Sequence, residues 1–254
     1  MFSVFLACSP RLADVLTAEL SEAGTTGIAE EPGGLRAFFD DAADRTEVAA
    51  RFAPFAPRFR EEPARDWVRE TQEAWPALLV GTRFYLTPPW DRGPTPPGRL
   101  RLEINPGMAC GTGYHPCTQM CLEALERYLR PGDTVLDVGA GSGILSKAAA
   151  LLGAACVYAC DIDADAVRIA RAETPALFFA GSADGVRSGA ASVVAANISS
   201  AAVEELHPEL MRVLKPGGTL IVSGFEEWDP PEGYEACDVI RRDGWMCLVI
   251  KLAL

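Results

Sequence analysis

The chain has 254 residues, is 49% hydrophobic and carries a formal net charge of −12 at pH 7. That is enough apolar material for one large core or two ordinary ones. The charge runs against the Lys- and Arg-rich surface that tracking a phosphate backbone requires, so a basic partner is expected and direct nucleic-acid binding is not; no apolar run approaches the eighteen or so residues that span a bilayer.

In chain order, "FSVFLAC" reads as a strand and "RLADVLTAELSEAG" as an amphipathic helix ending at Gly24. "TGIAEE" and "LRAFFDD" read as strands around a Pro-Gly-Gly turn, "DRTEVAARFAPFA" as a short helix and "PRFRE" as a strand. This β-α-β-β-α-β order predicts a small α+β, ferredoxin-like domain over residues 1–64. Residues 65–103 hold Trp67, Trp75, Trp90 and a cluster of prolines, the composition of a connector whose tryptophans pack on a neighbouring domain. From 104 to 254, short apolar strands ("TVLDVG", "CVYACDI", "ALFFAG", "SVVAANI", "GTLIVSG") alternate with helical segments, which predicts a mostly parallel sheet covered on both faces. Asp243-Gly244 suggests a closing hairpin.

The eight cysteines form no C-x-x-C pair, and several lie inside apolar runs. They read as reduced thiols of a cytoplasmic protein. Cys117 and Cys121 are four apart on an expected helix, but no second pair accompanies them, so no metal site is expected. The opening "MFSVFLACSP" lacks a basic leader and is too short for an export signal.

The densest chemistry is in "VLDVGAGSGILS". After the strand, Gly139, Gly141 and Gly143 let the backbone turn sharply beside a ligand, while the next helix starts with its amides exposed. About twenty residues on, Asp161 ends the second strand, where a carboxylate can accept hydrogen bonds from ribose hydroxyls. The order is G-x-G-x-G, with Ile144 where a dinucleotide loop would carry its last glycine. Together with "VLD", Asp161 and a fourth strand ending at Asn197, this resembles the class I S-adenosylmethionine-dependent methyltransferases over residues 118 to 254. The resemblance implies their Rossmann-like seven-stranded sheet and S-adenosyl-L-methionine as cofactor. It sets the Gly139–Gly143 loop against the methionine part, Asp161 against the ribose, and Ile162, Ser182 and Ala183 against the adenine, and it counts Asp137, Thr118 and Asn197 among the cofactor-binding residues.

A narrower resemblance covers most of the chain. "INPGMACGTGYHPCTQMCLEAL", "VLDVGAGSGILSKAAALLGA", "DIDADAV" and "VAANISS" are similar to the bacterial methyltransferases of large-subunit ribosomal protein eleven. The chain departs from that family's pattern at Cys110, Tyr114 and Cys117, and in the serines Ser199 and Ser200 that follow Asn197-Ile198. The resemblance implies methylation of lysine or N-terminal amines on a ribosomal protein, with a monomeric enzyme as the expectation.

The chemistry asks little beyond holding a neutral amine in line with an activated methyl carbon and excluding water. Asn197 can accept a hydrogen bond from the amine through its side-chain carbonyl, or it can cap the next helix. Thr118 is expected to bond the cofactor's charged methionine end. Tyr114 and His115 are expected along the passage to the methyl group, with Asn197 and His115 as the catalytic pair. His115 as the base of a Cys-His nucleophile with Cys110 or Cys117 is the alternative, resting on local spacing alone. Methylation of a small-molecule or nucleic-acid amine, and a non-catalytic cofactor-binding module, are the other functions left open.

Overall fold

The computed structural model describes residues 1–62, 75–105, 111–226, 228 and 235–253. Chain contacts divide it into two units, Met1–Glu73 and Ala74–Leu254. In the first, β1 (Phe2–Ala7), α1 (Pro10–Glu22), β2 (Gly27–Glu31), β3 (Gly34–Phe39), α2 (Arg45–Arg51) and β4 (Arg58–Glu61) follow one another in the expected order. The strands form an antiparallel sheet in the order β2-β3-β1-β4. Alternation on β3 points Leu35, Ala37 and Phe39 inward to meet Val4 and Leu6 of β1, Leu16 and Leu20 of α1, and Phe52 beyond α2. Asp44 caps α2 by accepting from the Thr46 and Glu47 amides. On the other face, Phe5 is covered by the guanidinium groups of Arg36 and Arg58, 5.6 and 4.4 Å from its ring centre.

The segment expected as a connector contains regular structure. Trp67 lies outside the described residues, but β5 (Leu78–Val80), β6 (Phe84–Thr87) and β7 (Leu100–Glu103) form a three-stranded sheet within the second unit. Val80, Phe84, Leu86 and Leu102 are fully buried or nearly so against the helices that follow. Glu126 of α3 (Pro116–Tyr128) accepts from the Thr82 and Arg83 amides at the β5–β6 turn. Arg99 donates to the carbonyls of Gly81 and Phe84 at 2.8 and 3.2 Å, tying the loop before β7 to the β5–β6 turn and β6. Proline punctuation marks the loop between β6 and β7, and burial comes from partners distant in sequence.

The main sheet of the second unit has the order β10-β9-β8-β11-β12-β14-β13. Its strands are β8 (Thr134–Val138), β9 (Cys156–Asp161), β10 (Leu177–Ala180), β11 (Ala191–Asn197), β12 (Leu214–Glu226), β13 (Ala236–Arg242) and β14 (Trp245–Lys251). The strands β8 to β12 pair parallel with one another; β14 runs antiparallel to β12 and to β13. The helices α4 (Ile144–Leu151), α5 (Ala164–Glu173) and α6 (Ser200–Val213) alternate with the strands. From β8 the chain steps outward through β9 and β10, then returns to the other side of β8 for β11. Strand order therefore reverses between β8 and β11, where loops leave in opposite directions and open a crevice at the carboxyl ends.

Candidate active site

The turn after β8 holds Gly139, Gly141 and Gly143 at φ of 71°, 51° and 76°. Its backbone is tied to β9: the Gly139 and Ala140 amides donate to Cys160 O at 2.9 and 3.1 Å. The Gly141 amide donates to Asp161 Oδ2 and the Asp163 amide to Asp161 Oδ1, both at 2.9 Å. A carboxylate accepts about four hydrogen bonds, so Asp161 holds the loop and retains lone pairs for a ligand. Gly143 does a different job. A Cβ there would meet Phe178 and Thr174 at 3.0 Å, so this glycine lets α4 approach β10 and α5.

Asp137, on β8, is 1% exposed. Its Oδ2 accepts from the Ser146 hydroxyl at 2.6 Å and amide at 3.0 Å, while Oδ1 has no protein partner. Burial pushes its carboxyl up to about 6, against the pull of the two Ser146 bonds and with a further push from Asp161. A buried, half-satisfied carboxylate at the edge of a cavity is a counterpart for a cation.

The upstream glycine-rich segment is described from Gly111 onward; Pro106 to Cys110 lie outside the described residues. The Ser142 hydroxyl donates to Gly111 O at 2.7 Å, joining the two glycine segments directly. A Cβ on Gly113 would stand 2.6 Å from Leu86 and 2.7 Å from Ile144, so a side chain there would have to displace both while holding a φ of 85°. Tyr114 turns away from the expected passage. Its hydroxyl donates to Pro76 O and its ring meets Trp75 edge-on at 4.8 Å. His115 is the N-cap of α3, its Nδ1 accepting from the Cys117 amide at 3.3 Å. Its ring stands edge-on to Trp245 at 4.5 Å. Thr118 Oγ1 accepts from Asn197 Nδ2 at 3.1 Å across the crevice.

These groups face one cavity of about 500 Å³, within the usual range for a ligand site. His115, Thr118, Asp137, Gly139, Gly141, Asp161, Ile162 and Asn197 line it, and so do Gly111, Thr112, Ala140, Ile144, Leu145 and Ile198. Ser182 and Ala183, expected at the adenine, are not among the lining residues. The chain turns there into a 3-10 helix, Ala183–Gly185, held by Arg212 on the Ala183 carbonyl, and the Ala183 side chain is fully buried in the core. Gly143 is likewise off the cavity. Ile198 and the Ser142 link were not marked by any motif; the sole signal for Ile198 is its position after Asn197. Asn197 does not cap α6, since Ser199 does so by accepting from the Ala202 amide.

Burial raises the thiols of Cys117 and Cys160, the latter to about 12, and a buried bond to Cys247 together with burial raises Cys121. Thiols held protonated in a core are poor nucleophiles, which removes Cys117 from a Cys-His pair; Cys110 lies outside the described residues. Among the described residues no cluster of His, Cys, Asp and Glu can hold a metal ion, and no helix is long and apolar enough to cross a membrane.

A parallel sheet with its reversal between β8 and β11, a G-x-G-x-G turn, carboxylates at the ends of the first two strands and Asn197 at the end of the fourth together define a class I S-adenosylmethionine-dependent methyltransferase. The model of the ribosomal protein L11 methyltransferase family matches residues 17–253. The chain belongs to that family. It is 38% identical over 208 residues to the ribosomal protein L11 methyltransferase of Paraburkholderia xenovorans, covering 76% of this chain and 68% of the relative. It is 40% identical over 200 residues to that of Dechloromonas aromatica, covering 72% and 65%. A crystal structure of the ribosomal protein L11 methylase of Lactobacillus delbrueckii subsp. bulgaricus superposes with a TM-score of 0.61 at 25% identity, over 70% of this chain and 99% of that one.

Proposed function

We propose that the protein transfers the methyl group of S-adenosylmethionine to lysine or N-terminal amines of ribosomal protein L11, acting as a monomer and without binding nucleic acid directly. The observation that carries this reading is the Asn197 carboxamide. Its NH₂ is committed to Thr118 Oγ1, and its carbonyl oxygen has no protein partner among the described residues. That leaves one acceptor, at the crevice, for the N–H of a neutral amine, and turns the nitrogen lone pair away from Asn197.

The cofactor fits the donors present. The unmatched Asp137 Oδ1 suits its methionine ammonium, Asp161 its ribose hydroxyls, and exposed Ile162 a face of its adenine. Thr118, hydroxyl-bearing in the first turn of α3, suits its carboxylate. When bound, the sulfonium supplies an electrophilic methyl carbon. The work left to the chain is positioning: Asn197 orients the amine, and His115, braced on Trp245, covers the approach and limits water. A lysine amine has a reference pKa near 10.4, so it must shed a proton before reaction, which burial at the crevice favours.

Residues 1–64 are proposed as the part that recognises the protein substrate, and residues 75–254, the β5–β7 sheet included, as the catalytic part. The net charge of −12 favours a basic target such as a ribosomal protein. The test is labelling of an extract from a strain lacking the protein, with purified enzyme and S-adenosylmethionine carrying a labelled methyl group. A labelled band identified as L11 is the expected result; label confined to RNA or to other proteins would overturn the reading.

A further inference from the structure

The glycine at 139 has a neighbour that the turn itself does not explain. A Cβ added there would overlap Cγ2 of Ile198, and nothing else stands so close. Ile198 follows Asn197 at the end of β11, and it is gripped from a second side as well. Gly224, at φ 106°, sits at the irregularity where β12 slips between Ser223 and Phe225 in its pairing with β14. A Cβ on Gly224 would overlap the Ile198 carbonyl oxygen and come within 2.7 Å of its carbonyl carbon and 2.8 Å of its nitrogen. Between these contacts the Ile198 amide donates to Ser223 O at 2.8 Å. Asn197, one residue earlier, pairs with Ser223 and gives its carboxamide N–H to Thr118.

We propose that Ile198 is a positioning residue: its side chain fills the space left by Gly139 and its backbone the space left by Gly224, and this clamp fixes Asn197 at the crevice. Ile198 thus adds a second reason for glycine at position 139, beside its φ of 71°. A β-branched side chain suits the task, because two carbons on Cβ leave one favoured χ1 and fix the methyl that meets Gly139. The inference rests on the reading of Asn197 as the group that orients the amine.

The experiment uses the full-length chain with G139A, I198A, the double variant G139A/I198A, I198V and I198L. Three quantities are read: affinity for S-adenosylhomocysteine by calorimetry, kcat and KM for methyl transfer to purified ribosomal protein L11, and melting temperature. G139A should weaken homocysteine-derivative binding about tenfold, because the new methyl displaces Ile198. In G139A/I198A most of that loss, and most of the drop in melting temperature, should return, leaving the smaller strain of alanine at positive φ. I198A should lower kcat about tenfold with affinity and KM within about threefold of wild type. I198V, which keeps the contacting methyl, should retain kcat, whereas I198L, branched one carbon further out, should not.

Additive losses in affinity and melting temperature for the double variant, or wild-type kcat in I198A, would overturn the clamp. If the wild-type protein binds S-adenosylhomocysteine but leaves L11 unmethylated, the proposed substrate fails while the affinity and melting cycles still decide the clamp. If it fails to bind S-adenosylhomocysteine, the cofactor reading fails and the melting cycle alone decides.

Discussion

The two glycine-rich segments that meet at the cavity are held by different means. The Gly139–Gly143 turn is fixed by the backbone of its own sheet, through Cys160 O and the Asp161 carboxylate. The Gly111–Thr118 segment is fixed by side chains from scattered places: Ser142 on Gly111 O, Gln119 on Tyr114 O, Trp75 on Tyr114 and Trp245 on His115. Arg242 in turn holds Gln119 at 3.1 Å and Glu123 at 2.9 Å. A turn closed by neighbouring strands has a recognisable pattern, whereas a segment closed by distant side chains has none. The first thus presents a fixed backbone and carboxylate to the cavity, and the second a set of side-chain anchors.

If that division is right, the largest losses come from carboxylates at the first segment. Asp137→Ala should weaken S-adenosylmethionine binding at least about a hundredfold by calorimetry, the cost of leaving a buried cation without its partner. Its pH dependence sharpens the point. The folded carboxyl stands at about 6, above its unfolded value, so in the free protein the charged form is disfavoured and this group's stability contribution falls as pH rises from about 4 through 6. A cationic ligand favours the ionised form. Affinity should therefore strengthen as pH rises from 5 to 7, and Asp137→Asn should remove that slope; an unchanged slope would break the assignment.

Asn197→Ala, at the meeting of the two segments, should lower kcat by about ten- to a hundredfold, as expected for a lost bond in the reacting complex, with cofactor affinity little changed. A rise in dissociation constant with normal kcat would make Asn197 a cofactor ligand only. Asp161→Ala should weaken cofactor binding by about 1 to 3 kcal/mol, since it both frees the loop and removes the acceptor for ribose.

Smaller effects belong to the second segment. His115→Ala should lower kcat several-fold, by about 1 kcal/mol, with less change in cofactor affinity. Thr118→Ala should raise the cofactor dissociation constant by a similar factor. Ser142→Ala, which cuts the only described hydrogen bond between the two segments, should cost about 0.5–1.5 kcal/mol of cofactor affinity and leave melting nearly unchanged. A larger loss in Ser142→Ala than in Asp161→Ala would reverse the proposed ranking.

The main sheet was legible because its strands are short apolar runs with a glycine or an acid at the exit, a pattern that survives without tertiary information. Asp161 and Asn197 were found by the same logic, since each ends such a run. The β5–β7 sheet was hidden by composition: its strands are three or four residues long, and it is the core beneath α3 that makes them strands. Tyr114 was misplaced because its partner Pro76 lies 38 residues away and no local pattern points to it. Ala183 falls in the core and off the cavity lining because a 3-10 turn held by Arg212 from α6 turns it there.

One strand sets the order in which this unit can be completed. β14 is made after β12 and β13 and yet lies between them. While the chain emerges from the ribosome, the β12 edge bearing Leu220, Ile221 and Val222 has no strand to pair with, and Trp245 has not reached His115. An apolar, unpaired edge of this kind is a site for wrong association during synthesis. Because β13 pairs with no other described strand than β14, the two join the sheet together as a hairpin at the β12 edge, and that same step brings Trp245 to His115.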